Sequence, residues 1–187
     1  MALSRSGAHV AAATQDRTIR IFSTAGNTAP RILKTPGQDG QDVDAITFSA
    51  DAQLLAATCR DHVVRQWKLD GEIPRTSQPH PSPVRTVSYS PNGQYLLTGC
   101  DDGIVRIWQT DRDELWKSFP AQASPVLAAA YSPDGTRIAT GTSSGKLSLF
   151  QVSDQHRLAA LDLGQSVVSV SFSPNNQYIA AAAADRL

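Results

Sequence analysis

The strongest constraint on the fold is a repeat of 41 to 45 residues that runs along the chain. One marker of the repeat is an aromatic residue, which recurs at Phe22, Trp67, Trp108 and Phe150 with spacings of 45, 41 and 42 residues. A second marker is a serine that directly follows an aromatic residue, at Ser49, Ser90, Ser132 and Ser173. Because two independent markers share nearly the same period, the sequence predicts an array of structurally similar units.

The unit from His80 to Trp108 shows what each repeat contains. Its sequence, HPSPVRTVSYSPNGQYLLTGCDDGIVRIW, has two runs of alternating apolar residues and the start of a third. The runs are separated by the turn residues Pro91-Asn92-Gly93 and Asp101-Asp102-Gly103, which favour short connections between strands. Strand-rich units with this period are typical of propeller blades.

The chain resembles WD40-repeat β-propellers in three features of these units. They are the Ser-Pro-Asp/Asn-Gly turns that begin at Ser90 and Ser132, the turn acid six residues before the aromatic marker, and third strands of the type Ile-Arg-Ile-Phe/Trp. The resemblance covers nearly all 187 residues. It implies an all-β fold, a WD40-type β-propeller with about four and a half blades of four-stranded antiparallel sheet.

The repeat makes residues 1–187 one WD40 region. Its blades are 1–35 (partial), 43–78, 79–119, 121–162 and 163–187 (partial). The first piece supplies strands two to four of a blade, and the last piece supplies strands one and two. Strand two is therefore present in both pieces, so they do not combine cleanly into one blade. We therefore expect a segment of a larger propeller, and the alternative is a small open array that pairs with a second copy.

Composition argues against several classes of partner. Lys+Arg and Asp+Glu both total 17, so no basic excess favours nucleic acid or an anionic membrane. No apolar run approaches the ~18 residues of a membrane span, and the first residues lack the apolar core of a signal peptide. Two cysteines, Cys59 and Cys100, are too few for a disulfide framework. We expect a cytoplasmic protein.

The resemblance also implies a buried structural tetrad. In WD40 blades, a His, a Ser or Thr, an Asp and a Trp are linked by hydrogen bonds, and the matching residues in the third blade are His80, Thr98, Asp102 and Trp108. The other blades depart from this pattern, with Asp39, Gln122 and Leu163 in place of His80 and Ser144 in place of Asp102. A catalytic His-Asp pair is the alternative interpretation, but the repeat already accounts for both residues.

Other motifs that suggest chemistry have simpler explanations in the repeat. Residues 141–145, GTSSG, match the nucleophile motif G-x-S-x-G, but a strand pattern follows where that motif requires a helix. The same stretch is one residue shorter than a phosphate loop, and Leu147 stands where a magnesium-binding Ser or Thr would be. Cys59 and His62 lack further metal ligands at the usual spacing. We expect no catalytic residue, metal or cofactor.

The arginines two residues before the aromatic marker are Arg20, Arg65 and Arg106. They could form a stripe for an acidic partner, but solvation or pairing with a carboxylate is the simpler interpretation. Asp101 and Asp102 do not form an acid/base pair in this interpretation, because the repeat directs Asp102 into the blade and Asp101 to the rim.

In WD40 proteins, partners contact mainly one face of the propeller. This face contains the residue before each turn Asp and the positions that flank the start of each first strand. The matching turn residues are Gln15, Arg60, Asp101 and Ser143, and the matching first-strand residues are Asp42, Asp44, Pro83, Arg85, Pro125, Leu127, Ser166 and Val168. Mixed charges with a few apolar side chains suit a protein or peptide better than a phosphate backbone.

The resemblance therefore implies a non-catalytic scaffold that docks protein or peptide partners on one face. The alternative is a propeller enzyme, or the sensor part of a larger signalling enzyme whose chemistry lies in another domain. The positions that line the channel do not repeat His or Glu, and this favours binding over catalysis.

Overall fold

The computed structural model describes residues 1–26, 28–35, 42–69, 75–76, 79–119 and 122–184. Every regular element in these ranges is a β-strand, and the strands form four sheets of four strands and one of two. This confirms the predicted all-β fold of about four and a half blades. Asp39, which stands at the tetrad position of the second blade, lies outside the described residues. Within the described ranges, the chain forms no helix that could span a membrane.

The strands follow the chain order within each sheet, and all pairings are antiparallel. The first two blades contain β1 (Ala2–Leu3), β2 (His9–Ala13), β3 (Thr18–Ser23), β4 (Arg31–Lys34), β5 (Val43–Phe48), β6 (Leu54–Cys59), β7 (Val64–Lys68) and β8 (Arg75–Thr76). The third and fourth contain β9 (Val84–Tyr89), β10 (Tyr95–Cys100), β11 (Val105–Gln109), β12 (Leu115–Phe119), β13 (Val126–Tyr131), β14 (Arg137–Thr142), β15 (Lys146–Gln151) and β16 (Arg157–Asp162). The fifth contains β17 (Ser166–Phe172) and β18 (Ile179–Ala184).

The first strand of each blade lies at the centre of the array. Strand β5 contacts β1 and β9, and β13 contacts β9 and β17. The remaining strands of each sheet extend outward from this central set. This is the blade arrangement of a propeller, and it brings the start of every first strand to the same rim.

Each inner blade packs one face against the blade before it and the other against the blade after it. Val105, Ile107 and Phe119 of the third blade share one core with Tyr131 and Phe150 of the fourth. The rings of Phe119 and Phe150 meet edge to face at 5.6 Å. The aromatic residue that marks the repeat therefore faces the preceding blade, and this contact explains why the repeat contains it.

Small residues in the second strands set the spacing between neighbouring blades. A Cβ atom at Gly99 would lie 2.7 Å from Cγ1 of Val126, and one at Gly141 would overlap Cγ1 of Val167. Both valines belong to the first strand of the next blade and are fully buried. The glycines let these valines approach the sheet directly.

The two ends of the array expose apolar side chains. On the first blade, Leu3, Phe22 and Ile32 are 64%, 42% and 52% exposed. On the fourth blade, every residue of β16 is exposed, and Leu161 is 61% exposed. In the described residues, the end faces therefore lack the cover that the inner blades give one another.

Candidate functional site

The predicted partner-binding residues lie at one rim, where first strands begin and second strands end. The backbone N–H groups of Arg60, Asp101 and Ser143 each donate to a carbonyl oxygen at the start of the first strand in the same blade. The acceptors are Asp42 at 3.2 Å, Pro83 at 3.0 Å and Pro125 at 2.9 Å. The same hydrogen bond in three blades thus places the predicted turn residue beside the predicted first-strand residue. Gln15 is exposed in the corresponding turn of the first blade.

A chain of ion pairs crosses this rim from the first blade to the third. Nε of Arg17 lies 3.5 Å from Oδ1 of Asp42, and Nη1 of Arg60 lies 3.0 Å from its Oδ2. Arg60 also approaches Asp44, with Nε 3.9 Å from Oδ1. Arg17 was not among the residues expected from the sequence, because its partner Asp42 belongs to the next blade.

The chain continues through Arg85. Its Nη1 lies 3.8 Å from Oδ2 of Asp44, and its guanidinium makes two hydrogen bonds to Asp101, Nε to Oδ1 at 2.8 Å and Nη2 to Oδ2 at 2.5 Å. The hydrogen bonds that Arg85 donates to the Asp101 carboxylate raise the pKa of Arg85. We call the six residues Arg17, Asp42, Arg60, Asp44, Arg85 and Asp101 the ion-pair row.

Apolar side chains adjoin the ion-pair row in the fourth and fifth blades. Leu127 is half-buried and Val168 is 48% exposed. Together with Asp44 and Arg85 they line a cavity of about 370 Å³ at the centre of the rim. Next to it, the hydroxyl of Ser166 donates to the carbonyl oxygen of Ser143 at 2.8 Å. The structure thus brings predicted face residues from four blades to one concave surface.

Three of the four predicted tetrad residues are linked. The indole N–H of Trp108 donates to Oγ1 of Thr98 at 3.0 Å, and Nε2 of His80 lies 3.1 Å from the same oxygen. All three side chains are buried. The hydroxyl of Thr98 therefore joins the first, second and third strand regions of the third blade.

Asp102 is not linked to this group, and here the predicted tetrad is wrong. Oδ2 of Asp102 accepts from Nη2 of Arg106 at 2.7 Å, and Oδ1 accepts from the N–H of Ile104 at 2.9 Å. Nδ1 of His80 is buried and has no hydrogen-bond partner among the described residues. A charged guanidinium offers a stronger hydrogen bond than a neutral imidazole, so Arg106 takes the carboxylate.

The same Asp–Arg pair recurs in three blades. Arg20 pairs with Asp16 at 2.7 Å, and Arg65 and Arg106 pair in the same way with Asp61 and Asp102. These third-strand arginines are therefore paired with carboxylates rather than arranged as a stripe for an acidic partner. In the fourth blade, Ser144 stands at the position of the aspartate and its hydroxyl lies 3.2 Å from Oγ1 of Thr142.

The residues that suggested other chemistry have structural roles. Residues 141–142 are the last two residues of β14 and residues 143–145 connect it to β15, so the G-x-S-x-G match is the end of a strand and a hairpin turn. Cys59 and Cys100 are free and buried, and burial raises the pKa of Cys100 to about 12. In the residues that the structure describes, no three His, Cys, Asp or Glu side chains are grouped to hold a metal ion.

Because the hydroxyl of Thr98 is hydrogen-bonded, we expect valine substitutions at two threonines of the same repeat position to lower the free energy of unfolding by different amounts. Thr98→Val leaves the buried nitrogens of His80 and Trp108 without their partner, and we expect it to lower the free energy of unfolding by about 2–4 kcal/mol. Thr140 is equally buried, but its Oγ1 has no partner in the described structure. Thr140→Val should therefore change stability by less than about 1 kcal/mol. Urea unfolding of both variants checks this, and equal losses would contradict the assigned hydrogen bonds.

His80 predicts a pH dependence of stability. Burial and the neighbouring Arg106 guanidinium lower the pKa of His80 from 6.5 to about 4. Between these values, the unfolded chain binds a proton that the folded chain does not, so the free energy of unfolding decreases as the pH falls from 6.5 to about 4. The decrease due to His80 should reach roughly 3 kcal/mol. Denaturant unfolding across this range should show a shallower slope for His80→Gln, and an unchanged slope would refute the assignment.

The comparison with known families agrees with this geometry. A family model described as "WD domain, G-beta repeat" matches residues 30–68, 71–109, 114–151 and 158–187. Each full match begins near the fourth strand of one blade and ends with the third strand of the next, so the sequence repeat is out of phase with the blade by one strand. The comparison with curated proteins gave no significant match. Because the family model covers most of the chain, this chain belongs to the WD40-repeat family.

Proposed function

We propose that this chain is a scaffold that docks a protein or peptide on the rim formed by the ion-pair row, Leu127 and Val168. WD40 domains are generally protein-interaction scaffolds and are typically non-catalytic. The observation that carries the proposal is the position of the apolar pair beside the charged row, in one concave surface built from several blades.

The charges of the ion-pair row favour a protein partner over a nucleic acid. The row contains three arginines and three aspartates, so its charges balance. A phosphate backbone is bound mainly by an excess of Lys and Arg. A protein surface instead offers both signs of charge, and complementary pairs increase the rate and specificity of association.

The ion pairs are accessible enough to exchange partners. The side chains of Arg60 and Asp42 are 68% and 44% exposed, and that of Arg85 is 41% exposed. Exposed pairs contribute only about 0–1 kcal/mol to folding, so a bound partner can replace one of them at little cost. Leu127 and Val168 supply the apolar contact that commonly occupies the centre of an interface.

We also propose a cytoplasmic location. Cys59 and Cys100 are both free and buried, which is the ordinary state of cysteine in a reducing compartment. Localisation of the tagged chain by fluorescence microscopy, with a periplasmic or secreted control, tests this.

The rim can be tested by site-specific photo-crosslinking in a lysate. A benzophenone side chain at Val168 should give a discrete adduct, because this residue adjoins the proposed docking surface. The same group at Leu115 is the matched control, since Leu115 is 50% exposed and Val168 is 48% exposed. Arg60→Glu combined with Arg85→Glu should abolish the adduct at Val168 and lower the free energy of unfolding by no more than about 1 kcal/mol.

Arg157→Glu is the charge control, because Arg157 is exposed on β16, away from the rim. It should leave the adduct unchanged. An adduct at Val168 that survives reversal of Arg60 and Arg85, or that forms equally at Leu115, would contradict the proposed face.

A further inference from the structure

A cavity of about 590 Å³ lies between the second and third blades. Its mouth is formed by the turns that follow the first and third strands, so it opens at the rim opposite the ion-pair row. Its size falls within the range of small-ligand sites, roughly 300–1,000 Å³. The side chains of Gln66 and Thr110 line it and are only 4% and 9% exposed. These two polar residues form its buried end.

The residues at this buried end differ from those at the blade interfaces on either side. Gln66 and Thr110 hold positions whose equivalents at those interfaces are apolar and lie in or against a hydrophobic core. The equivalents are Ile21 and Ile107 for the first position and Leu69 and Val152 for the second. Leu54, which also lines the cavity, stands where the third blade has the larger Tyr95. The polar cavity is therefore specific to the interface of the second and third blades among these three.

The amide of Gln66 is held in one orientation. Its Oε1 accepts a hydrogen bond from the hydroxyl of Tyr89 at 2.8 Å, and its Nε2 donates one to Oδ1 of Asp113 at 3.1 Å. Burial raises the pKa of Tyr89, so this hydroxyl stays protonated and donates. A carboxylate only accepts, so Nε2 must face Asp113. Oε1 and Nε2 can each make one further hydrogen bond.

Thr110 adds a hydroxyl that the described residues do not use. Its Oγ1 is buried and has no hydrogen-bond partner among them. The backbone N–H of Thr110 donates to the carbonyl oxygen of Gln94 at 2.9 Å, and this bond fixes the position of the residue. A buried hydroxyl without a partner costs free energy, and a ligand that bonds to it recovers that cost.

The charges around the cavity favour an uncharged ligand. The described lining contains the carboxylates of Asp51 and Asp111 and the cations of Lys68 and Arg112, so the two signs balance. At the buried end, a carboxylate could not donate to Oε1 of Gln66, and an ammonium group could not accept from Nε2. A carboxamide does both and carries no net charge.

We propose that this cavity binds a carboxamide group, through Gln66 and Thr110 at its buried end and beside the apolar side chain of Leu54. The group can belong to a glutamine or asparagine side chain of a peptide or to a free small amide, and its contacts with Gln66 and Thr110 are the same in both cases. Because the cavity opens at the opposite rim, the proposal does not depend on docking at the ion-pair row.

NMR chemical-shift titration of the full chain with blocked tripeptides tests the ligand chemistry. The probe is N-acetyl-Gly-Gln-Gly-N-methylamide, and the matched probes replace its glutamine with glutamate, which only accepts, or with methionine, which has a similar length and no amide. The glutamine peptide should give saturable shifts at residues lining the cavity. The Kd of each matched peptide should be at least about tenfold higher, because buried hydrogen-bonding groups stay unpaired.

Propionamide distinguishes the two sources of the carboxamide. A Kd within about threefold of that of the glutamine peptide would show that the amide group alone is recognised. A Kd at least about tenfold higher would show that the peptide main chain also contributes. Binding of all three tripeptides with equal Kd would overturn the proposal, and so would the absence of saturable shifts at millimolar glutamine peptide and propionamide. These titrations use the wild-type chain.

Variants of Thr110 test the buried end of the cavity. Thr110→Val removes the hydroxyl and supplies the side chain that Val152 provides at the next interface, so the Kd of the glutamine peptide should rise about tenfold. Thr110→Ser keeps a hydroxyl and should bind within about threefold of the wild type. Thr140→Val is the matched control, because Oγ1 of Thr140 is also buried without a described partner but lies in the fourth blade.

The control should leave the Kd unchanged, and cooperative thermal unfolding shows that each variant is folded. A wild-type Kd for Thr110→Val would overturn the assigned contact. Equal weakening by Thr110→Val and Thr140→Val would also overturn it, because the effect would then not belong to the cavity.

Discussion

The contact between the second strand of one blade and the first strand of the next is the constraint on which the rest of this structure depends. Val126 packs against Gly99, and Val167 packs against Gly141, so closely that a Cβ atom on either glycine would overlap the valine. The same contact in consecutive blades fixes the distance and direction from one sheet to the next. Protein interiors are packed densely enough that such a contact leaves little freedom.

The interaction rim is a consequence of this packing. When the first strands lie side by side, their starting residues come to one end of the array, together with the turns that follow the second strands. The hydrogen bonds from Arg60, Asp101 and Ser143 then hold each turn against the start of its own first strand. Asp44 and Arg85, which lie in different blades, meet at the centre only because the blades are in register. The rim is thus assembled from several blades, and no single repeat contains it.

The sequence was sufficient to predict the parts of the structure that recur. Strand positions and the direction of each aromatic side chain follow from the period, because an equivalent residue in every blade has an equivalent environment. The departures arise where one blade differs. Gln66 stands where other blades have Ile21, Ile107 and Leu149. Its buried side-chain amide accepts a hydrogen bond from the hydroxyl of Tyr89 and donates one to the carboxylate of Asp113. The sequence shows that this position is unusual, but its partners lie in the next blade and could not be identified.

The error at Asp102 and the omission of Arg17 have different causes. The family pattern directs Asp102 to His80, but Arg106 lies four residues away across the turn and competes for the carboxylate. Arg17 joins the ion-pair row through Asp42, a contact between blades that depends on geometry rather than on a motif. The spacing of Asp102 and Arg106 is visible in the sequence although the family pattern pointed elsewhere, whereas the contact of Arg17 with Asp42 required the structure.

The most direct test of this account is a double-mutant cycle at Gly141 and Val167. The packing predicts that Gly141→Ala lowers the free energy of unfolding by about 1–3 kcal/mol, because the new methyl group overlaps Val167. Val167→Ala removes Cγ1, the atom that overlaps most, and leaves the Cβ of residue 167 at 2.7 Å. Gly141→Ala should therefore cost less in that background, with a coupling of about 1 kcal/mol by urea unfolding. Additive effects of the two substitutions would show that the blades do not meet at this contact and would contradict the account.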